Sequence, residues 1–225
     1  MLLFFGTINA QEEYLKNTLK SVDQIIGQEN TGLYNGTKYI ELYRTINERH
    51  KFFKSSEFLL GSLVYSGQYY SNVNLKYDLD ADDLLLDISY IRKFPILKLY
   101  KSRISEFSLD GKEFINIGTH TSDITKGFHE VLWNSDDLKL LKKHKKEKLK
   151  RFSTKLVHYE FFDENSYFFE YKNVFYPLNK RGDLLKVFPE FRKEINQLYN
   201  KRLVKINPKD NYILIFGELQ KSLGK

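Results

Sequence analysis

Apolar residues recur at two different spacings, which divide the chain into three parts. Between Leu15 and Ile26 they recur at helical spacing, which predicts a short helix ending at Gly27. Over residues 37–178 they alternate or cluster in short runs, as is typical of strands. Helical spacing then returns. The fold class predicted is α+β, mainly β, with a helix and loop over 11–36, a β-rich body over 37–178 and a helical hairpin over 179–225.

Turn residues separate the apolar runs of the body. Asp110-Gly111 predicts a two-residue hairpin after Ile104–Leu109, because both central residues of that turn take positive φ. Further reversals are predicted at Ser66-Gly67-Gln68, at residues 80–83 and at Lys172-Asn173. About nine or ten strands result, and a sheet of that size is expected to curl rather than stay flat. We therefore predict a curled antiparallel meander, in the form of a roll or partial barrel.

The C-terminal part carries two helix-start signals. Asp183 is expected to cap a helical segment that breaks near Pro189. Asn207-Pro208 predicts the start of a second helix, because proline suits the first turn. The buried stripe expected for this second helix consists of Ile213, Phe216, Leu219 and Leu223. No repeat or low-complexity linker interrupts the chain, so residues 11–225 are predicted to form a single globular unit.

The first ten residues, MLLFFGTINA, form a short apolar stretch ending in a small side chain, directly before Gln11-Glu12-Glu13. This is typical of a signal peptide that lacks its basic front end, so we expect the true start to lie upstream of Met1. We expect cleavage near Ala10-Gln11 and a periplasmic or secreted product. The alternative reading is a buried first strand. No other stretch reaches the roughly 18 apolar residues of a spanning helix, so no transmembrane segment is predicted.

The composition and the missing motifs exclude several kinds of catalytic and metal site. The 225 residues include no cysteine, which excludes disulfides, thiolate metal sites and a thiol nucleophile, and which suits an oxidising compartment. The chain also lacks the Gly-x-Ser-x-Gly elbow, the phosphate-binding loop and the dinucleotide Gly-x-Gly-x-x-Gly. We therefore predict a non-enzymatic protein with no catalytic residues, cofactor or metal.

Two groups of residues are candidate sites. His129 and Glu130 are the nearest approach to an acid–base pair among five scattered histidines, but neighbours in a strand point to opposite faces. Asp78, Asp80, Asp82 and Asp83 resemble the opening of a calcium loop, yet Asp83 and Ser89 stand where that loop needs Gly and Glu. A polar hairpin tip whose Asp side chains bond nearby amides is the favoured interpretation, with an irregular surface calcium site left open.

The strongest charge feature is a basic ridge within a chain of net charge +7. We call it the basic ridge, and its members are Lys139, Lys142, Lys143, Lys145, Lys146, Lys148, Lys150 and Arg151. Such a ridge attracts phosphate-bearing partners. In the envelope these are anionic lipid or lipopolysaccharide, and no nucleic acid is expected there. A solvated surface without a partner is the alternative.

Several short motifs together carry a resemblance. They are Asn35-Gly36-Thr37-Lys38-Tyr39, Phe52-Phe53, Gly61 with Tyr65 and Tyr69, Val73-Asn74-Leu75-Lys76-Tyr77-Asp78, and Gly127-Phe128-His129-Glu130-Val131-Leu132. This set resembles an uncharacterised family of exported proteins from Gram-negative bacteria. The resemblance implies export and β-structure, and it implies no activity, because no active or binding residues are assigned to that family.

The function predicted from the sequence is a non-enzymatic exported envelope protein that acts as an interaction or assembly module. Its partner would be an envelope protein or an anionic lipid. The alternative is a periplasmic carrier of a hydrophobic or lipid ligand. That alternative rests on paired aromatic residues such as Phe168-Phe169, which place one ring on each face of a strand and so supply rings for a groove.

Overall fold

The computed structural model describes residues 32–46, 48–89, 95–118, 126–152 and 156–223. The predicted signal-peptide segment, the predicted N-terminal helix and His120 lie outside these residues. Contacts divide the chain into two compact units. The first comprises residues 1–113 and 148–160, and the second comprises residues 114–147 and 161–225. Whether residues 11–225 fold cooperatively as one unit stays a prediction.

Strands dominate the described residues. They are β1 (Gly36–Lys38), β2 (Leu59–Tyr65), β3 (Gln68–Asp78), β4 (Asp83–Asp87), β5 (Ile96–Leu99), β6 (Ile104–Leu109), β7 (Lys112–Ile117), β8 (Gly127–Asn134), β9 (Leu138–Lys143), β10 (Lys146–Phe152), β11 (Val157–Asp163), β12 (Ser166–Tyr171) and β13 (Val174–Pro177). Eleven form one antiparallel sheet in the order β1-β5-β4-β3-β2-β6-β7-β8-β9-β12-β13, and β10 and β11 form a small second sheet. The mainly β class is confirmed. The large sheet is open, with β1 and β13 as its edges.

Three of the predicted reversals are confirmed as tight hairpins. Both central residues have positive φ at Ser66-Gly67, at Asp110-Gly111 and at Lys172-Asn173. Such backbone angles match the right-handed twist of the flanking strands, so two-residue turns can close these hairpins. Local turn chemistry therefore sets the strand order in this part of the chain.

Aromatic side chains fill the core of the first unit. Tyr65, Tyr77 and Phe107 are almost completely buried, and the rings of Tyr77 and Phe107 meet edge to face at 5.5 Å. Backbones approach closely where β2 lies between β3 and β6. A Cβ atom at Gly61 would stand 2.3 Å from the carbonyl oxygen of Ser108, so only glycine fits there. The same position marks a register shift against β3.

Helices follow the last strand in the second unit. They are α1 (Arg181–Val187), α2 (Arg192–Leu198), α3 (Lys201–Ile206) and α4 (Pro208–Leu223). The Asp183 carboxylate accepts hydrogen bonds from the N–H groups of Asn179 and Lys180, each at 3.0 Å, at the start of α1. A 3₁₀ turn at Pro189–Phe191 separates α1 from α2, so the predicted break is confirmed. Helix α4 begins at Pro208, as predicted.

Helix α4 supplies much of the second unit's core. Phe216 and Leu219 of the predicted stripe are buried, together with Tyr212 and Ile215, whereas Ile213 and Leu223 are only partly buried. Their partners include Leu138 and Leu140 of β9 and Phe169 of β12. Of the helices in the described ranges, none has the length and apolar character needed to cross a membrane.

Candidate ligand-binding site in the first unit

Lys51 is a buried cation held against the end of β3. Its carbonyl accepts a hydrogen bond from the N–H of Leu79 at 3.0 Å, which fixes the segment beside the strand. Its Nζ lies 2.8 Å from Oδ2 of Asp78 and 3.1 Å from Oε1 of Glu41. The Lys51 side chain is 7% exposed and that of Asp78 is 1% exposed. A buried charge persists only when it is paired, so the fold of this region depends on the contact.

Aromatic rings enclose the same ammonium group. The centroids of Tyr39, Tyr43 and Phe52 lie 5.3, 5.3 and 5.4 Å from Nζ of Lys51, within the range of cation–π attraction. The hydroxyl of Tyr39 donates to Glu41 at 2.7 Å, and the N–H of Tyr43 donates to the same carboxylate at 2.9 Å. Residues at alternate positions of one segment thus converge on Lys51.

The pKa shifts of these groups follow from burial and pairing. Burial alone would lower the pKa of Lys51, but hydrogen bonds to Asp78 and Tyr39 outweigh it and raise the pKa above its ordinary value. Burial raises the pKa of the Tyr39 hydroxyl. Burial also raises the pKa of Asp78, although Lys51 and two backbone N–H groups offset part of that effect. The 2.8 Å contact with these extra donors identifies an ammonium–carboxylate pair at neutral pH.

A cavity of about 410 Å³ opens beside this pair, and we call it the Lys51 cavity. Its apolar wall consists of Tyr39, Ile40, Leu42, Tyr43 and Ala81. Its charged lining consists of Lys38, Lys51, Lys98, Asp78, Asp80 and Asp83. The volume falls within the roughly 300–1,000 Å³ of small-molecule sites, and the mixture of rings with a few placed polar groups is typical of them.

Two further Lys–Asp pairs surround the cavity. Nζ of Lys98 lies 3.5 Å from Oδ2 of Asp83, and Nζ of Lys148 lies 3.3 Å from Oδ2 of Asp80. Lys148 also donates to the Tyr43 hydroxyl at 2.8 Å. Both lysine side chains are about two-fifths exposed. Solvent exposure of the ion pairs therefore increases from the buried pair at Lys51 to the accessible pairs at Lys98 and Lys148.

The acidic cluster of the sequence forms the tip between β3 and β4. Asp78 Oδ1 accepts hydrogen bonds from the N–H groups of Asp80 and Ala81, at 3.0 and 3.1 Å. Asp82 accepts from the Tyr77 hydroxyl at 2.6 Å and from Lys101 at 3.0 Å. The predicted hairpin tip is confirmed. Within the ranges that the structure describes, no group of three or more His, Asp or Glu side chains is arranged to hold a metal ion.

The basic ridge lies on β9, on β10 and between them. Among the described residues, ion pairs join Lys139 with Glu170, Lys145 with Glu164, Lys148 with Asp80 and Arg151 with Glu160. Lys142 and Lys150 lie over the rings of Tyr167 and Phe152, Lys143 donates to the carbonyl of Lys126, and burial lowers the pKa of Lys146. Binding of an anionic partner by the ridge stays a prediction.

His129 and Glu130 contact different groups in the second unit. The His129 ring meets Phe168 edge to face at 5.6 Å. Glu130 lies 2.6 Å from Nε2 of His144 and 3.3 Å from Nζ of Lys209. Burial lowers the pKa of His144 more than Glu130 raises it. Burial alone would raise the pKa of Glu130, but the hydrogen bond from His144 and the charges of His144 and Lys209 lower it to about 2.

These shifts predict that the free energy of unfolding falls in two stages on acidification. The folded-state pKa of His144 lies below the unfolded value of 6.5, so the unfolded chain takes up this proton first and stability falls below pH 6.5. The pKa of Glu130 drops from 4.5 to about 2, so stability falls again across that interval. Urea unfolding from about pH 8 down to about pH 2 measures both stages, and His144→Phe is expected to remove the first. An unchanged slope near pH 6 in that variant would contradict the assignment.

Sequence reasoning missed the centre of the Lys51 cavity. The signal for this cavity in the sequence is the alternation Tyr39, Glu41, Tyr43. In an extended segment, this spacing places the two phenol hydroxyls and the carboxylate on one side. Lys51 itself stands directly before Phe52-Phe53, where a lone lysine carries no signal of burial.

Comparisons with known proteins assign the chain to no family. No protein-family model matches it, and no match was found among the curated proteins or the solved structures.

Proposed function

We propose that this protein is a non-enzymatic interaction module of the cell envelope, and that it binds through the Lys51 cavity. The observation that carries the proposal is the construction of that cavity. A buried ion pair fixes one end, rings form a wall, and accessible charged pairs surround it. A preformed concave site of this kind favours binding, because little side-chain freedom remains to be lost when a ligand enters.

Exposed aliphatic side chains extend the surface beside the cavity. Ile40, Leu42 and Ile46 are 63%, 75% and 57% exposed, and we call them the aliphatic row. Ile40 and Leu42 also line the cavity. Tyr39 and Tyr43 of the same segment are partly buried. An apolar row that continues beyond the cavity supports contact with a partner larger than the cavity itself.

The protonation states at the cavity support binding rather than catalysis. General acid–base catalysis needs a group that gains and loses a proton near the working pH. The pKa values of Lys51 and Tyr39 are both raised, so each keeps its proton at neutral pH. Such groups act as fixed hydrogen-bond donors. Lys51 is bonded to Asp78 and Glu41, and the Tyr39 hydroxyl donates to Glu41, so both groups hold the cavity in shape without exchanging protons with a ligand.

Export and the envelope belong to the proposal on the strength of the sequence. The apolar residues 1–10, followed by Gln11, and the lack of cysteine support a periplasmic or secreted location. The short N-terminal helix and the curl of the sheet into a roll are retained as part of the same proposal.

Binding to isolated cell envelopes tests the proposed function. The purified protein is expected to sediment with envelopes from its own cells, and Leu42→Asp is expected to reduce the bound fraction about tenfold. The matched control is Leu60→Asp, since Leu60 is 63% exposed in the same unit but does not line the cavity. Equal binding by both variants, or no sedimentation of the unaltered protein, would overturn the proposal.

A separate measurement tests the proposed periplasmic or secreted location. Intact-mass spectrometry of the natively expressed protein is expected to give a chain that starts at Gln11, recovered from the periplasmic fraction or the medium. An unprocessed chain in the cytoplasmic fraction would contradict the proposed location in the envelope. It would also return nucleic acid to the possible partners of the basic ridge.

A specific observation favours the alternative function, a carrier of a hydrophobic or lipid ligand. The second unit contains a cavity of about 480 Å³ that is lined by Tyr171, Tyr176, Pro177 and Val187 together with the charged residues Asp183 and Lys186. Native mass spectrometry of the gently purified protein distinguishes the two functions. A lipid-sized adduct would favour the carrier, whereas a bare chain would favour the interaction module.

A further inference from the structure

We infer that the Lys51 cavity binds a neutral saccharide. This inference rests on the proposed function and specifies the ligand of the same site. Three observations lead to it: the balance of charges around the cavity, the rings and aliphatic side chains of its wall, and the gradient of exposure among its ion pairs.

The charges around the cavity balance in sign. Lys51 is paired with Asp78, Lys98 with Asp83 and Lys148 with Asp80. Lys38 and Glu41 add one charge of each sign. An anionic or cationic ligand would therefore meet no net opposite charge, and it would have to compete with an existing pair. A hydroxyl group can accept from an ammonium and donate to a carboxylate, so a polyhydroxylated ligand satisfies both partners while the pairs persist.

The wall selects for a ligand with an apolar face. Tyr39 and Tyr43 line the cavity, and Ile40 and Leu42 continue its apolar surface. A sugar ring presents C–H groups on its faces and hydroxyls around its edge, so it can pack on aromatic and aliphatic side chains while it hydrogen bonds sideways. A purely aliphatic ligand would strip water from the charged lining without replacing its hydrogen bonds, which is costly.

Exposure assigns roles to the individual pairs. Asp78 and Lys51 are buried and bonded to each other. Asp78 also accepts from two backbone N–H groups, and Lys51 also contacts Glu41, so the pair holds the site in shape. Asp83 and Asp80 are 22% and 17% exposed, and their lysine partners are more exposed. Solvent-accessible pairs have unused donors and acceptors that can turn toward a ligand. Asp80 and Asp83 are therefore the acceptors expected to contact sugar hydroxyls.

Saturation-transfer NMR with neutral sugars tests the inference. The probes are glucose, galactose, N-acetylglucosamine, maltose and chitobiose, each with a dissociation constant expected on the order of 1 mM. Asp83→Asn and Asp80→Asn are expected to weaken binding about tenfold, since an amide keeps the size of the side chain but alters its hydrogen bonding and charge. Titrations of the best probe against each variant give the fold-change.

The matched control is Asp82→Asn. Asp82 stands in the same chain reversal and also pairs with a lysine, but it bonds Tyr77 and Lys101 and does not line the cavity. The control is expected to bind sugar as the unaltered protein does. The inference would be overturned if no probe received saturation from the protein, or if Asp82→Asn weakened sugar binding as much as Asp80→Asn and Asp83→Asn do.

Two further comparisons complete the test. One identifies the source of the sugar, and the other separates failure of the saccharide inference from failure of the proposed function. Oligosaccharides released from purified peptidoglycan and lipopolysaccharide, compared with the free sugars, show whether the ligand comes from an envelope glycan or from a soluble sugar. Envelope sedimentation that depends on Leu42, without sugar binding, would overturn the saccharide inference and leave the proposed function intact. Loss of both would overturn the proposed function as well.

Discussion

Replacing Lys51 by methionine is expected to lower the free energy of unfolding by about 3–5 kcal/mol. The substitution keeps most of the side-chain volume but leaves the Asp78 carboxylate buried at 1% exposure without its ammonium partner. At 1% exposure the carboxylate gains little solvation in place of that partner, so much of the cost of its desolvation falls on the folded state. Chemical denaturation at neutral pH, followed by tyrosine fluorescence, measures the loss.

An exposed pair in the same unit provides the control. Nζ of Lys54 lies 3.8 Å from the Asp110 carboxylate, and both side chains are about half exposed. Because solvent screens such pairs, Lys54→Met is expected to change stability by less than about 1 kcal/mol. The double variant Lys51→Met with Asp78→Asn should recover most of the loss, since it removes both buried charges while the amide oxygen still accepts from the N–H groups of Asp80 and Ala81. A single Lys51→Met variant as stable as the unaltered protein would show that the pair does not hold this region.

Local chemistry explains which parts of the fold the sequence predicts. Asp110-Gly111 and Lys172-Asn173 specify tight turns through their own backbone preferences, so their hairpins can be located without any knowledge of the rest of the chain. Strand β10 lacks such a signal. Six of its seven residues are exposed, so no alternation of buried and exposed positions marks it, and the sequence shows only the basic ridge.

The candidate site depends on contacts between residues far apart in sequence. Asp78 stands in the sequence as one of four clustered acidic residues, but its partner Lys51 comes 27 residues earlier and belongs to no pattern. Pairing with lysines also changes the meaning of the acidic cluster. Carboxylates that the sequence presents together as possible calcium ligands are separately bonded to Lys51, Lys98, Lys101 and Lys148 in the structure. Only tertiary structure distributes them in this way.

Phe216→Ala is expected to lower the free energy of unfolding of the second unit by about 3–5 kcal/mol. Phe216 is fully buried on α4, and its ring meets that of Phe169 on β12 edge to face at 5.8 Å. Truncation removes buried apolar surface and leaves a cavity between helix and sheet, and both effects favour unfolding. Thermal or urea unfolding followed by circular dichroism measures the change.

Leu214 lies two residues earlier on the same helix and is 61% exposed, so it is the matched control. Leu214→Ala is expected to change stability by less than about 0.5 kcal/mol, because little apolar surface is returned to water and alanine favours the helix. The contrast between the two variants separates the packing of α4 on the sheet from the intrinsic stability of the helix. Similar losses in both would mean that helix propensity, and not burial against Phe169, stabilises this part of the chain.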